Sequence, residues 1–245
     1  ITKHRGRWVY CGDLRNGIAV ANTVSIDEGA ELKANSTVDG EGGHVATFAF
    51  DAVTIGGDLA ARGRASGDGG TIDVFGGDLT LTQTSTLNAS GGVDGGFVTV
   101  EGSGDIVANG KITSRGETGD GGFILMKGEG DIFVGPTARF DTTGEIGGGF
   151  ISVEGEGDVE IHGQLLARGR TGEGGQILVS GEGDVTVGAT ATLDASGGTN
   201  GGFITVEGGG DVTVDGQLSA IGDSGDGGQI LVSGDCDVSI GATAN

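Results

Sequence analysis

The sequence has almost no proline, with Pro136 alone among 245 residues, although 57 of those residues are glycine. A collagen triple helix needs a strict Gly-x-y period and abundant proline, so this glycine content does not indicate collagen. Long helices are disfavoured because glycine recurs too often. Disorder is disfavoured because short β-branched and aliphatic runs such as FITV, QILV and DVTV separate the glycines.

Long apolar runs and basic residues are also scarce. The longest apolar runs are only a few residues long, so we expect no membrane insertion. Lys and Arg number 13 against 35 Asp and Glu, which gives a net charge of −22. An acidic surface repels nucleic acid and anionic membranes, whereas it favours solubility and divalent cations. The chain begins at Ile1 without a methionine, which we interpret as a processed form or a piece of something larger.

What the sequence does contain is a repeat. The residues that follow successive Gly-Gly pairs are spaced by 26 or 27 positions: His44, Thr71, Phe97, Phe123, Phe150, Gln176, Phe203 and Gln229. A column of eight aspartates has the same period: Asp51, Asp78, Asp105, Asp131, Asp158, Asp184, Asp211 and Asp237. A period of 20–50 residues indicates a solenoid, a propeller or an array.

Each repeat carries three short strand patterns with alternating apolar positions, such as Ile204 and Val206, Val212 and Val214, then Leu218. A propeller blade needs about 40 residues, and the nine-residue period of the calcium-binding roll is absent. The sequence therefore predicts an all-β fold, a right-handed parallel β-helix (β-solenoid) with three short strands per rung of about 26–27 residues. Glycine is expected at corners where the backbone needs φ > 0.

The repeat also divides the chain. Residues 1–34 depart from it and are expected to form an irregular N-terminal cap or assembly segment that includes the first turn. Residues 35–245 are expected to form a β-helix of about eight repeats, the last of them incomplete. Rungs of two kinds alternate, one with the connection LDASGGTNGG and the other with the more charged LLARGRTGEGG.

Segments such as GGFITVEGGGDVTVDGQLSA and GDVTVGATATLDASGGTNGG resemble the β-helical repeats of large bacterial exoproteins of the filamentous-haemagglutinin type. The resemblance extends from about Gly42 to the C-terminus. It implies a secreted fibrous rod, extracellular or on the bacterial cell surface, that acts as an adhesin or as a stalk for other modules.

The aspartate column has two interpretations. Asp51, Asp78, Asp105, Asp131, Asp158, Asp184, Asp211 and Asp237 could each cap their own corner by accepting backbone N–H groups. Alternatively, they could share Ca²⁺ with a second acidic column just before six of the Gly-Gly pairs, because Ca²⁺ prefers six to eight oxygen ligands. The members of this second column are Glu41, Asp68, Asp94, Asp120, Glu173 and Asp226. No cofactor is required by the sequence, and Ca²⁺ is the candidate.

Two further features suggest contacts between chains. Strand alternation directs Phe97, Phe123, Phe150 and Phe203 outward, which is typical either of a lateral interface or of rings that fill a corner. Cys11 and Cys236 lie about eight rungs apart, roughly 40 Å, so they cannot pair within one chain. Between chains stacked head to tail they could form an intermolecular disulfide, and two free thiols are the alternative.

Catalysis is not indicated. The three histidines lie in unrelated columns, and no nucleophile–base pair is visible. Arg62, Arg115 and Arg168 share a column and are expected to neutralise nearby acids.

The sequence thus favours a non-enzymatic extracellular structural protein, a subunit of a head-to-tail surface fibre. The alternatives are a stalk segment of a secreted adhesin, or a β-helix protein that binds or cleaves polysaccharide, with a polysaccharide or a host surface as a further partner.

Overall fold

The computed structural model describes residues 2–4, 7–9, 13–15 and 18–241, with side-chain positions from Ala21 to Gly241. Its N-terminal strands are β1 (Thr2–His4), β2 (Arg7–Val9), β3 (Asp13–Arg15), β4 (Ile18–Ile26) and β5 (Glu31–Lys33). The repeat follows as β6 (His44–Ile55), β7 (Asp58–Ala60), β8 (Thr71–Gly76), β9 (Asp78–Leu81), β10 (Thr86–Asn88), β11 (Phe97–Gly102), β12 (Ile106–Ala108), β13 (Lys111–Thr113), β14 (Phe123–Gly128), β15 (Ile132–Val134), β16 (Arg139–Asp141), β17 (Phe150–Gly155), β18 (Val159–Ile161), β19 (Gln164–Leu166), β20 (Gln176–Gly181), β21 (Val185–Val187), β22 (Thr192–Asp194), β23 (Phe203–Gly208), β24 (Val212–Val214), β25 (Gln217–Ser219), β26 (Gln229–Gly234) and β27 (Val238–Ile240).

These strands build a β-solenoid of about eight rungs with three strands per rung, as the repeat predicts. Each strand of the repeat pairs in parallel with its equivalent one rung away. The first face contains β8, β11, β14, β17, β20, β23 and β26, and the second contains β9, β12, β15, β18, β21, β24 and β27. The third face is an eight-stranded sheet in the order β5-β7-β10-β13-β16-β19-β22-β25. No helix occurs in the described residues, so none has the length and apolar character needed to cross a membrane.

The N-terminal strands join this ladder. β4 pairs in parallel with β6, and β5 pairs in parallel with β7. Two antiparallel pairs, β1 with β2 and β3 with β4, precede the repeat. Parallel stacking therefore extends into the segment before residue 35.

The interior is a set of apolar columns, one side chain per rung. In strands of the first face, Ile177 lies in register with Ile151 and Ile204, and all three are at most 1 % exposed. The third-face column holds Leu59, Leu87, Ile112, Phe140, Leu165 and Leu193, all fully buried. These inward positions were predicted from the period-2 pattern and are confirmed. Burying one such aliphatic side chain stabilises the fold by about 1.5–3 kcal/mol.

Glycine is required at the corners for a different reason from the one expected. Among the described glycines only Gly29 and Gly40 have φ in the left-handed region, so the expectation of φ > 0 at the corners is wrong. The corners need glycine because successive rungs stack too closely for a Cβ. A Cβ on Gly174 would overlap the backbone carbonyl of Ala195, and one on Gly175 would overlap the carbonyl of Gly149.

Candidate functional site

The aspartate column forms a hydrogen-bonded ladder along one corner of the solenoid. From Asp78 onward, each Oδ1 accepts the backbone N–H of the column aspartate in the next rung, at N···O distances between 2.8 Å and 3.2 Å. The members linked in this way are Asp78, Asp105, Asp131, Asp158, Asp184, Asp211 and Asp237. The capping interpretation predicts that each carboxylate caps its own corner, but the N–H that it accepts belongs to the following rung. The side chains therefore tie neighbouring rungs together.

Asp51 does not belong to this column. β6 pairs with β9 in a register that places Ala52, not Asp51, opposite Asp78. Ala52 and Asp78 are 26 positions apart in the sequence. The first half of β6 pairs with β8 instead, and there His44 lies opposite Thr71, which is 27 positions away. One extra residue is accommodated between the two halves of β6, and this moves Asp51 out of the ladder.

The second acidic column behaves similarly. Asp68 Oδ1 accepts the N–H of Asp94 at 3.1 Å, and Asp94 Oδ1 accepts that of Asp120 at 2.8 Å. Farther along, Asn200 Oδ1 accepts the N–H of Asp226 at 2.9 Å. Each side chain in this series uses one oxygen to hold the next rung. Among the described residues, no group of three or more His, Cys, Asp or Glu side chains is arranged to hold a metal ion. Calcium binding stays a prediction.

Calcium can be tested through the melting temperature. A ligand that binds only the folded chain stabilises it by about 2.7 kcal/mol at one hundred times its dissociation constant. Because the ladder carboxylates already accept backbone N–H groups, we expect the same melting temperature in EDTA and in millimolar CaCl₂. MgCl₂ at equal ionic strength is the control for screening. A rise of several degrees that is specific to Ca²⁺ would contradict capping as the sole role of the ladder.

The third face contains buried carboxylates, each paired with an arginine from the preceding rung, and one of them also with an arginine of its own strand. Asp141 is 1 % exposed and receives hydrogen bonds from the guanidinium groups of Arg115 and Arg139, the latter at 2.7 Å. Asp194 is paired with Arg168, whose Nε donates to Oδ2 at 2.6 Å. The expectation that Arg115 and Arg168 neutralise acids is confirmed.

Sequence reasoning missed the acidic partners of these arginines. The signal was present, because Arg115 precedes Asp141 and Arg168 precedes Asp194 by 26 positions each, one rung. In both pairs the arginine lies in the more charged kind of rung and the aspartate in the rung that follows. These ion pairs give the alternation of two kinds of rung a physical basis between Arg115 and Asp194.

The environment of Asp141 shifts its pKa. Burial alone would raise the pKa of this carboxyl, but the hydrogen bonds from Arg115 and Thr143 and the charge of Arg115 outweigh burial. The pKa falls from 3.8 to about 2. The hydrogen bond to Asp141 in turn raises the pKa of the Arg115 guanidinium.

The pH dependence of Asp141→Asn follows from this shift. A carboxyl whose pKa is lowered by folding stabilises the fold above its unfolded pKa, and this contribution is lost as the pH falls through the folded pKa. At pH 7 we expect the native chain to exceed the variant by about 2 kcal/mol in free energy of unfolding. This difference should shrink as the pH falls from about 4 to about 2, as measured by urea denaturation. Asp223→Asn, at an exposed position, is the control. A pH-independent difference would contradict the ion-pair account.

The outward phenylalanines form a short aromatic ladder. The rings of Phe123 and Phe150 are stacked with centroids 5.1 Å apart, and Phe97 lies 6.2 Å from Phe123 in a tilted arrangement. Gln176 then interrupts the column, so Phe203 stands apart and is 50 % exposed. The rings face one another along the solenoid axis. A lateral interface at these residues stays a prediction.

A second aromatic pair was not singled out from the sequence. Phe48 and Phe75 stack with centroids 5.1 Å apart, and Phe48 is 54 % exposed. The first face therefore has two aromatic patches along different columns.

The cysteines and histidines lie apart from these features. Cys236 is a free, exposed cysteine in the last described rung, whereas Cys11 lies outside the described residues. His44 contacts Asp73 at 2.7 Å, and His162 lies 3.4 Å from Glu160. The two contacts lie on different faces and in different rungs.

Comparison of this chain with models of protein families, with curated protein sequences and with solved structures gave no match in any of the three. The class that the fold defines is that of the β-solenoid repeat proteins.

Proposed function

We propose that this chain is a non-enzymatic structural protein, a β-solenoid rod that stacks head to tail into an extracellular or surface fibre. One observation carries the proposal. In the last described rung, Ile230, Val238 and Ile240 are 45 %, 45 % and 64 % exposed. Their counterparts one rung earlier, Ile204, Val212 and Val214, are at most 2 % exposed. An apolar column of this solenoid is buried only where a rung has a neighbour on both sides, so the last described rung would gain burial by stacking against a further rung, either of this chain or of another.

The corner glycines support the same proposal. At Gly201 a Cβ would overlap the carbonyl of Ala220 in the next rung, whereas a Cβ at Gly227 in the same column would have no atom within 4 Å in the part of the chain that the structure describes. Gly227 therefore retains a residue type that only a following rung requires. A further rung stacked in register, either of this chain or of a second one as proposed here, would supply that requirement.

The bacterial and extracellular assignment rests on the resemblance of the repeats to filamentous-haemagglutinin-type exoproteins. A stalk segment of an adhesin is the alternative, and it would remain monomeric. A head-to-tail contact repeats without closing, so it generates a filament. In such a filament the predicted Cys11–Cys236 disulfide would link neighbouring chains.

The assembly is tested with Gly227→Ala. The variant should melt at the same temperature as the native chain, because its Cβ would meet no atom of the described residues. It should nevertheless assemble at least tenfold more weakly in sedimentation velocity, since the added methyl would overlap the backbone of the next chain. Thr186→Asp, on the side of the rod, is the control and should assemble normally. Equal assembly of Gly227→Ala and the native chain would contradict stacking in register.

The disulfide gives an independent readout of the same assembly. Non-reducing electrophoresis of the oxidised sample should show a ladder of multimers that reductant collapses to the monomer. Cys236→Ser should remove the ladder and leave sedimentation unchanged. A monomer band alone from an assembled, oxidised sample would contradict the disulfide but not the stacking.

A further inference from the structure

The arginine column of the third face has one member without an acidic partner. Arg62, Arg115 and Arg168 each lie two residues after a third-face strand. Arg115 is paired with Asp141, and Arg168 with Asp194. Within the part of the chain that the structure describes, no carboxylate lies within ion-pair distance of Arg62.

The residue that occupies the place of the missing aspartate is Asn88. The backbone around it matches, because Ala61 donates its N–H to the carbonyl of Asn88 as Ser114 does to the carbonyl of Asp141. One terminal atom of the Asn88 side chain, Oδ1, makes the same hydrogen bond as its counterpart in Asp141. Asn88 Oδ1 accepts the N–H of Ser90 at 3.0 Å, as Asp141 Oδ1 accepts that of Thr143 at 3.1 Å.

The difference lies in the other atom of the side chain. In Asp141 the second oxygen, Oδ2, accepts the guanidinium of Arg115. In Asn88 the corresponding atom is the amide nitrogen, which is a donor. Arg62 therefore faces a donor where its counterparts face a carboxylate oxygen.

The surroundings supply further donors. The Nε atoms of Arg62 and Arg115 are both buried and have no hydrogen-bond partner among the described residues. Both arginines line a cleft of about 280 Å³ that also contains Asn88, Thr143, Glu117 and Arg170. Arg170 is already paired with Glu145 at 3.4 Å. The cleft lining thus carries three guanidinium groups against the one carboxylate of Glu117, and Arg62 is the one of the three without an ion-pair partner among the described residues, so an external carboxylate could pair with its terminal nitrogens.

We propose that this cleft binds the carboxylate of a uronic-acid sugar, with Arg62 as the principal ligand. The internal repeat identifies the charge, because a carboxylate occupies the equivalent position beside Arg115 and Arg168 and pairs well with a guanidinium. The hydroxyls of Ser90, Thr113 and Thr143 line the cleft and match the hydroxyl groups of a sugar ring. The cleft is smaller than the roughly 300–1,000 Å³ of drug-sized sites, which favours a single ring. The net charge of −22 disfavours densely charged sulfated polymers.

The test is an NMR titration of the full chain with D-glucuronate, with D-glucose as the uncharged probe. Glucuronate should shift the resonances of residues around Arg62, and glucose should bind at least tenfold more weakly. Arg62→Gln should weaken glucuronate binding at least tenfold. Glu117→Gln, which removes a negative charge from the cleft, should strengthen it. Equal binding of the two sugars, or native affinity in Arg62→Gln, would overturn the proposal.

Asn88→Asp provides a second, independent test. It recreates the carboxylate found beside Arg115 and Arg168, so Arg62 gains an internal partner. The variant should melt about 2–4 °C higher than the native chain and should bind glucuronate at least tenfold more weakly. Asp194→Asn, which opens the equivalent position beside Arg168, should melt lower. An Asn88→Asp variant that is no more stable and binds glucuronate as the native chain does would overturn the proposal.

Discussion

Val179→Asp is expected to abolish cooperative folding. Val179 is fully buried on the first face, in register with Val153 and Val206 in the neighbouring rungs. A carboxylate at this position would lie between two valines with no cation to pair with, and burying an unpaired charge costs several kcal/mol. We expect a loss of about 5 kcal/mol or more in free energy of unfolding.

Thr213→Asp is the matched control. Thr213 lies between two inward valines of β24 and points outward, between Thr186 and Ser239 of the adjacent rungs. The added charge remains in solvent, so the free energy of unfolding should change by about 0.5 kcal/mol. Urea denaturation followed by circular dichroism measures both variants. Similar losses in the two would contradict the assignment of inward and outward faces.

Gly174→Ala is expected to have the next largest effect. A Cβ on Gly174 would overlap the carbonyl of Ala195 and approach the backbone nitrogen of Gly202, both in the next rung. Backbone atoms cannot move aside without breaking the parallel hydrogen bonds on either side of the corner. We expect a loss of about 3 kcal/mol, comparable to overpacking a rigid core.

Gly227→Ala separates crowding from backbone conformation. Gly227 occupies the same column as Gly174, but a Cβ there has no neighbour within 4 Å between residue 18 and residue 241. If the corners needed glycine for its conformational freedom, both variants would be destabilised. Among the described glycines only Gly29 and Gly40 have φ in the left-handed region. We therefore expect thermal denaturation to show a lower melting temperature for Gly174→Ala and an unchanged one for Gly227→Ala.

The architecture was predictable because the repeat copies one pattern many times. Each inward column recurs at 26 or 27 positions, so an accidental apolar residue in one rung does not obscure the period. The role of glycine was not predictable in the same way. The sequence shows only that a corner position has no side chain. The reason is the short distance between the backbones of successive rungs, which is visible only in the structure.

The ion pairs could not be predicted from residues that recur at the repeat spacing. Asp141 and Asp194 end third-face strands that were recognised by their inward apolar residues alone, so their burial was not anticipated. Spacing places Asp51 in the aspartate column, and only the strand register shows the one-residue offset that removes it. The replacement of an aspartate by Asn88 beside Arg62 is recognisable only by comparison with the ion pairs of Arg115 and Arg168.

Electron microscopy of the purified native chain at neutral pH tests the proposed function most directly. Stacking of rods in register predicts unbranched filaments of one rod's width, with an axial repeat of roughly 40 Å or somewhat more per chain. Gly227→Ala should yield single short rods under the same conditions. Single rods from the native chain at all accessible concentrations would contradict the proposal that it is a fibre subunit.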